Sequence, residues 1–226
     1  MSELQIHDLI PYLEGFITDK RKARLQQVLS QRSGHMRIVL ENVYQAHNTS
    51  AVLRSCDCFG VQHVHFIENN NALKISEDVA LGSSNWLSIH RHKHAENNTL
   101  EALTSLKKEG YKIVATSPHK NDFTLNELPV EHKFALVFGT ELEGISEEVV
   151  KSADAFVRIP MYGFTESFNI SVSAAICMYE LSRRIRETVP NYHLSETEKT
   201  RVYFEWLKNT VQSSEALIED FLSKQK

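Results

Sequence analysis

Between residues 36 and 186 the sequence alternates short apolar segments with longer amphipathic ones. The apolar segments have the β-branched and aromatic composition of strands: MRIVLENV (36–43), VQHVHFIE (61–68), WLSIHRH (86–92), YKIVATS (111–117), FALVFG (134–139) and AFVRIP (155–160). Strands that alternate with helices through short connections predict an α/β fold, in which helices cover both faces of a parallel sheet. The functional site of such a sheet lies at the carboxyl ends of its strands.

The helical segments have recognisable ends. Gly60 is placed to stop the helix that precedes 61–68, and Asn98 with Glu101 predicts a capping pair at the start of a helix that runs through Lys108. Ser146, followed by two glutamates, predicts another helix start. The last helix of the α/β region, NISVSAAICMYELSRRIRE (169–187), is very apolar and should lie deep in the core.

Helical segments also flank the α/β region. Residues 18–31 predict an amphipathic helix with Thr18 as N-cap, and after Pro190 a capping box of Ser195 and Glu198 opens another helix. We therefore predict a basic helical N-terminal extension over 1–35, an α/β domain over 36–188 and a helical C-terminal extension over 189–226.

The composition is that of an ordinary soluble protein. Of 226 residues, 42% are hydrophobic and 24% charged, which excludes disordered and low-complexity classes. The start MSELQIHDLI does not resemble a signal peptide, and no apolar run approaches the ~20 residues that span a bilayer, so we expect a cytoplasmic protein without membrane contact. Three cysteines without metal or redox spacing predict small core residues, with no disulfide and no metal.

Positive charge is concentrated near the N-terminus. Residues 20–37 carry +6 with no acidic residue, so the rest of the chain carries −10 against a total of −4. A phosphate backbone is one partner for such a segment, and its candidate contacts are Lys20, Arg21, Lys22 and Arg24. A solvated helix face is the other interpretation, which the charges alone do not exclude.

The first of three polar segments that could form a site is NVYQAHNTSAVLRSCDCFGV (42–61). Asn48 lies at a helix start and Arg54 follows six residues later, among apolar residues such as Val52 and Cys56. A guanidinium packed against a core needs a phosphate or carboxylate partner, so both residues are site candidates. A surface salt bridge for Arg54 and a capping role for Asn48 are the alternatives.

The other two segments follow later strands. In FGTELEGIS (138–146) two glycines flank Glu141 and permit close backbone approach to a ligand. In RIPMYGFTESFNISVSAA (158–175) an irregular loop leads to Ser167 and Asn169, although Asn169 alone could be a cap. Glycine-rich dinucleotide turns, P-loops, GxSxG elbows and HExxH helices are absent from the sequence.

These three segments, in this order, resemble the signature motifs of the SpoU branch of the SPOUT RNA 2′-O-ribose methyltransferases. The resemblance runs from about Met36 to Arg186. It implies S-adenosylmethionine (SAM) as cofactor, a homodimer, and a parallel-sheet fold whose C-terminal part is threaded into a trefoil knot. General rules of chain connection would not predict a knot.

The resemblance also implies roles for individual residues. Catalytic roles fall on Asn48, Arg54, Glu141, Ser167 and Asn169, and cofactor contacts on Thr116, Gly139, Ile159, Met161 and Phe168. The sequence departs from the family pattern at Thr140, where Asn or Gln is commoner, and at Phe168 to Ile170, where the family has Leu-Asn-Val. A slot lined by Ile159 and Phe168, with main-chain groups at its rim and no charged side chain, would suit adenine.

Short helical extensions on both sides of the knot domain resemble those of the family members that methylate guanosine 18 in the D-loop of tRNA. We therefore expect a SAM-dependent tRNA (guanosine-18-2′-O) methyltransferase in which Arg54 holds phosphate and stabilises the 2′-oxyanion. Two alternatives stay open: methylation of ribosomal RNA by the same site, and a non-catalytic RNA-binding protein with the same fold.

Overall fold

The computed structural model of the chain describes residues 3–120, 122–140 and 142–224, and these fall into two compact units. Ser33–Tyr192 form one unit. The described parts of residues 1–32 and 193–226 form the other, so both helical extensions belong to a single unit.

The Ser33–Tyr192 unit is a seven-stranded parallel sheet with helices. Its strands are β1 (Met36–Glu41), β2 (His63–Ile67), β3 (Ser88–His92), β4 (Lys112–Thr116), β5 (Phe123–Thr124), β6 (Phe134–Phe138) and β7 (Ala155–Arg158). Its helices are α3 (Ala46–Phe59), α4 (Glu77–Ala80), α5 (Asn98–Lys108), α6 (Glu147–Ser152) and α7 (Ile170–Thr188), with a 3₁₀ turn at Ser83–Trp86. The strand order is β3-β2-β1-β6-β4-β7-β5, which confirms the α/β class.

The core lies on both faces of this sheet because its central strands have no exposed side. Every residue of β1, β2 and β6 is buried, as expected for strands covered by helices on both faces. One face packs Val52, Leu53 and Cys56 of α3 and Ala174 and Met178 of α7. The other face packs Leu103 and Leu106 of α5 and Val149 of α6.

The terminal unit consists of four helices, α1 (Glu3–Glu14), α2 (Asp19–Leu29), α8 (Glu196–Thr210) and α9 (Ser214–Ser223). Thr18 caps α2 by accepting a hydrogen bond from the backbone N–H of Arg21, and the Ser195–Glu198 capping box is formed. Both α1 and α2 pack on α8. The sequence did not predict α1, which contains Pro11 yet buries Leu9 and Leu13.

Two local predictions are wrong. The N-cap of α5 is Asn97, whose side chain accepts from the N–H of Leu100, whereas Asn98 turns inward, accepts from Ala95 N and donates to the Glu68 carbonyl. Of the cysteines, Cys58 is exposed and only Cys56 and Cys177 are buried.

The basic segment 20–37 is not one continuous positive surface. Arg32 is buried over the Trp206 ring, and Arg37 is buried over Tyr111 with an ion pair to Glu109 at 2.7 Å. Lys22 is paired with Glu14. The exposed basic side chains of the segment, Lys20, Arg21 and Arg24, all lie on α2.

Four histidines stack along the neighbouring strands β2 and β3. His65 Nδ1 lies 3.0 Å from His92 Nε2, His63 Nδ1 lies 3.1 Å from His90 Nε2, and the rings of His65 and His90 stack at 4.4 Å. Burial and the neighbouring imidazoles lower the pKa of His90 to about 4 and lower that of His65 further still. Both rings are therefore neutral at physiological pH.

None of the described helices has the length and apolarity needed to cross a membrane. Within residues 3–120, 122–140 and 142–224, no three or more His, Cys, Asp or Glu residues are grouped so as to hold a metal ion.

Candidate functional site

An open cleft lies at the carboxyl ends of β4 and β7, against the start of α7. Its walls come from the end of β4 and the residues after it, from β7 and the loop that follows, and from the first half of α7. The lining residues are Thr116, Ser117, Pro118, Val157, Arg158, Ile159, Met161, Ser167, Phe168, Ser173 and Cys177.

Most of the cleft wall is apolar, and the hydroxyl group of Thr116 has a fixed neighbour. Val157, Ile159 and Phe168 provide flat or branched apolar surface. Thr116 Oγ1 donates to the carbonyl of Val137 at 2.9 Å, which orients that side chain at the end of β4. Apolar walls with a few polar groups suit a flat heterocycle with polar edges.

Four of the five residues expected to contact a cofactor, Thr116, Ile159, Met161 and Phe168, line this cleft. The fifth, Gly139, is not among its lining residues and instead begins a tight turn after β6. Arg158 also lines the cleft, whereas the slot predicted for adenine has no charged side chain. The sequence alone could not predict that Arg158 lines this cleft, because that depends on β7 lying next to β4 in the sheet.

The turn after β6 brings its two ends into direct backbone contact. Thr140 and Gly144 exchange hydrogen bonds, from Thr140 N to Gly144 O at 2.8 Å and from Gly144 N to Thr140 O at 3.1 Å. Gly144 has φ +70°, which favours glycine. A Cβ on Gly139 would lie 2.0 Å from the Gly144 carbonyl oxygen, so no side chain fits at position 139.

The first and third polar segments meet through two asparagines. Asn48, only 3% exposed, accepts a hydrogen bond from Asn169 Nδ2 at 3.1 Å and donates to Gln45 Oε1 at 3.1 Å. Asn169 also caps α7 by accepting from Ser171 N at 2.8 Å. The start of α3 is thereby tied to the start of α7, directly beside Ser167 and Phe168 of the cleft.

Arg54 does not join this group. It is exposed on α3, and the structure shows no hydrogen bond or ion pair between Arg54 and any other described residue. The expectation that its guanidinium packs against the core is wrong, because at 100° per residue Arg54 lies about opposite to Val52 and Cys56 on the helix. Glu141 lies outside the described residues.

Aromatic side chains are exposed around the cleft. Tyr162 and Phe164, in the loop between β7 and α7, are almost fully exposed, and on α7 Val172 and Tyr179 are also exposed. Soluble proteins seldom present such large apolar groups together unless another surface covers them.

The chain matches known proteins over most of its length. The SpoU rRNA Methylase family is matched over residues 35–179. A tRNA (guanosine(18)-2'-O)-methyltransferase of Borreliella burgdorferi is 42% identical over 204 residues, 90% of this chain and 92% of that protein. One of the same name from Aquifex aeolicus is 34% identical over 86% of this chain and 92% of its own length.

Solved structures agree with these sequence matches. The crystal structure of the A. aeolicus TrmH/SpoU tRNA modifying enzyme is similar with a TM-score of 0.75 and 34% identity, covering 86% of this chain and 98% of that one. The chain therefore belongs to the SpoU rRNA Methylase family, as its three polar segments predicted.

Proposed function

We propose that the protein transfers a methyl group from SAM to the ribose 2′-oxygen of guanosine 18 in the D-loop of tRNA. The observation that carries the proposal is the cleft at the ends of β4 and β7, tied to α3 through the Asn48–Asn169 hydrogen bond. Relatives named for this reaction are 42% and 34% identical to the chain over most of its length, and they supply the choice of tRNA and of nucleotide.

The residues of the cleft fit SAM. Ile159 and Phe168 provide apolar surface for the faces of adenine, and Thr116 and Ser167 provide hydroxyl groups at the rim. Arg158 is the one basic side chain among the lining residues, and the methionine carboxylate of SAM is a suitable partner for it. When bound, SAM supplies an electrophilic methyl group on its sulfonium.

The chain's own residues must orient the ribose and handle its proton, because a hydroxyl is a weak nucleophile. A guanidinium stays protonated at neutral pH and presents a planar fork, so Arg54 binds the target phosphate and stabilises the developing 2′-oxyanion. Asn48 and Asn169 fix the start of α3 relative to the cleft. We assign Ser167 to substrate contact and Glu141 to bracing this group, and we leave the general base unassigned.

The tRNA backbone is bound by α2 of the terminal unit. Lys20, Arg21 and Arg24 are exposed on this helix, and each phosphate contact by such a side chain releases counterions. Lys22, which is paired with Glu14, is the fourth residue of this helix that we assign to RNA binding. We infer a cytoplasmic location for the enzyme, because tRNA is available there.

A dimer and a knot complete the proposal. The family resemblance implies both, and the exposed face of α7 with Val172 and Tyr179 is suited to burial against a second copy. A mass of two chains by light scattering at micromolar protein is expected, and Tyr179→Glu should lower it. A monomeric mass for the wild-type protein contradicts the dimer.

The test of the function uses labelled SAM and two tRNA transcripts that differ only in whether guanosine 18 carries a 2′-hydroxyl or a 2′-hydrogen. Label should enter the first transcript alone. Label in ribosomal RNA but in neither transcript would support the ribosomal alternative. RNA binding without SAM binding in calorimetry would support a non-catalytic protein.

A further inference from the structure

Helix α7 contributes two side chains to the wall of the cleft, Ser173 and Cys177, and neither has a role in the function proposed above. They lie four residues apart, so they project from the same side of the helix, one turn from each other. Cys177 is 1% exposed, as is Val157 of β7, and these two buried lining residues form the floor of the cleft. Ser173 is half-buried and lies one turn nearer the start of α7.

The hydroxyl group of Ser173 makes no hydrogen bond to another residue within the part of the chain that the structure describes. A helical serine or threonine can donate to the carbonyl four residues earlier, and Ser55, Thr188 and Thr200 do so at 2.8–3.0 Å. The corresponding carbonyl for Ser173, that of Asn169, accepts its backbone N–H at 2.9 Å but not its hydroxyl. This hydroxyl is therefore free to bind a molecule that enters the cleft.

The other lining hydroxyl groups differ from that of Ser173 in partner or in depth. Thr116 Oγ1 donates its proton to the Val137 carbonyl at 2.9 Å. Ser117 Oγ accepts from the backbone N–H two residues later at 3.3 Å, and Ser167 is exposed at the rim. Ser173 thus combines a half-buried position with a proton and lone pairs that the protein does not use.

The chemistry of a hydroxyl group indicates which half of SAM it contacts. A hydroxyl is neutral and both donates and accepts, so it suits neutral polar groups. The adenosine half of SAM carries only such groups, namely ring nitrogens, an exocyclic amine and two ribose hydroxyls. The amino-acid half carries an ammonium and a carboxylate, and the charged side chain of Arg158 is the suitable partner for the carboxylate.

We propose that Ser173 binds the adenosine half of the cofactor through its hydroxyl group, and that Cys177 limits how deeply this half enters the cleft. This inference rests on the proposed function. Burial raises the pKa of the Cys177 thiol to about 12, so the thiol is neutral at physiological pH. The thiolate is the nucleophilic form of cysteine, so a neutral thiol can line a site that holds an electrophilic methyl group without attacking it.

Ser173→Ala removes one hydrogen bond from the complex and adds no bulk. We expect the Kd for SAM in calorimetry to rise about fivefold, the effect of one hydrogen bond. The KM for SAM should rise by the same factor, while kcat at saturating SAM stays within about twofold of wild type. Wild-type affinity for SAM in Ser173→Ala overturns the proposal.

The matched control is Ser182→Ala. Ser182 also lies on α7, and its hydroxyl likewise has no hydrogen bond to another described residue, but it does not line the cleft. This variant should bind SAM as wild type does. An equal loss of affinity in Ser182→Ala would mean that any such change in α7 has this effect, and would overturn the proposal.

A fragment of the cofactor tests which half Ser173 contacts. 5′-Methylthioadenosine keeps the adenosine half and lacks the amino-acid half. Ser173→Ala should weaken binding of this fragment by the same factor as binding of SAM, whereas Arg158→Ala should weaken binding of SAM alone. Fragment affinity that is unchanged in Ser173→Ala overturns the assignment to adenosine, as does a wild-type protein that binds SAM but not the fragment.

The role of Cys177 is tested by bulk. Cys177→Leu enlarges the side chain at the floor of the cleft and should weaken SAM binding at least tenfold, whereas Cys177→Ala should bind within about threefold of wild type. If Cys177→Leu fails to fold, the smaller Cys177→Val should weaken binding at least threefold. Wild-type SAM affinity in the folded larger variant overturns the depth limit. A wild-type protein that binds no SAM overturns the proposed function and the inference together, whereas normal wild-type binding with unchanged affinity in Ser173→Ala overturns the inference alone.

Discussion

Gly139→Ala adds a single methyl group at a position where the structure leaves no room for one. The new Cβ would lie 2.0 Å from the Gly144 carbonyl oxygen and 2.4 Å from the Ile145 nitrogen. Both are backbone atoms, so the contact cannot be relieved by a rotamer change. The turn must open, which breaks the two hydrogen bonds between Thr140 and Gly144.

The expected loss of affinity follows from the clash in the closed turn. Opening the turn breaks two hydrogen bonds of about 1 kcal/mol each, so the clash that opens it must cost more than about 2 kcal/mol. SAM that requires the closed turn has to restore the clash, and we expect it to bind at least tenfold more weakly, a loss of ~1.4 kcal/mol.

Calorimetry with SAM on the purified variant measures this loss, with a circular dichroism spectrum to verify the fold. The control is Gly163→Ala, since a Cβ on Gly163 meets no atom within 4 Å. It should bind SAM as wild type does. A folded Gly139→Ala protein with wild-type SAM affinity would refute the reasoning and place the cofactor away from this turn.

Three further predictions concern catalysis, RNA binding and pH. Arg54→Ala and Arg54→Lys should both abolish methyl transfer with SAM affinity within a few-fold of wild type, since a lysine cannot reproduce the planar fork; turnover near wild type in either variant would remove Arg54 from catalysis. Charge reversal of Lys20 and Arg24 should reduce the slope of log tRNA affinity against log salt by about 2, because each lost duplex phosphate contact removes ~0.9. An unchanged slope would mean that the basic face of α2 is solvated and does not bind RNA. Because the pKa values of His65 and His90 lie below the ordinary 6.5, the unfolded chain binds protons that the native chain does not, and the free energy of unfolding should fall as pH drops below about 6.5. The free energy of unfolding should fall by about 1.4 kcal/mol per pH unit for each histidine, and for His90 this loss ends near pH 4. Urea unfolding at pH 7.5 and 5.0 measures the difference, which the exposed-site control His119→Ala should leave unchanged. Equal stability at the two pH values would contradict the prediction.

Local sequence patterns predicted the features that depend on local physics. The β-branched and aromatic segments became parallel strands, and Thr18, Ser146 and Ser195 cap the helices that they were expected to cap. The exposed position of Arg54 was also within reach, because the helical spacing that buries Val52 and Cys56 turns residue 54 outward.

Features that depend on long-range packing were not predictable from such patterns. Ser117 and Arg158 line the same cleft because β4 and β7 are neighbours in the sheet, although they are not consecutive along the chain. Helix α1 contains Pro11, which argues against a helix locally, and it forms because its apolar side packs on α8. The carboxylate of Glu41 likewise accepts hydrogen bonds from Thr99 and Ser146, which lie 58 and 105 positions later in the chain.

The composition of the terminal unit has a consequence for synthesis on the ribosome. Helices α1 and α2 are made first, but α8, on which they both pack, is made only after the 160 residues of Ser33–Tyr192. At ~5–20 residues per second that interval lasts roughly 10–30 s. Throughout it, Leu9, Leu13, Leu25 and Leu29 of the nascent chain cannot yet pack on α8, so the terminal unit that carries the basic helix α2 can assemble only after α8 has been synthesised.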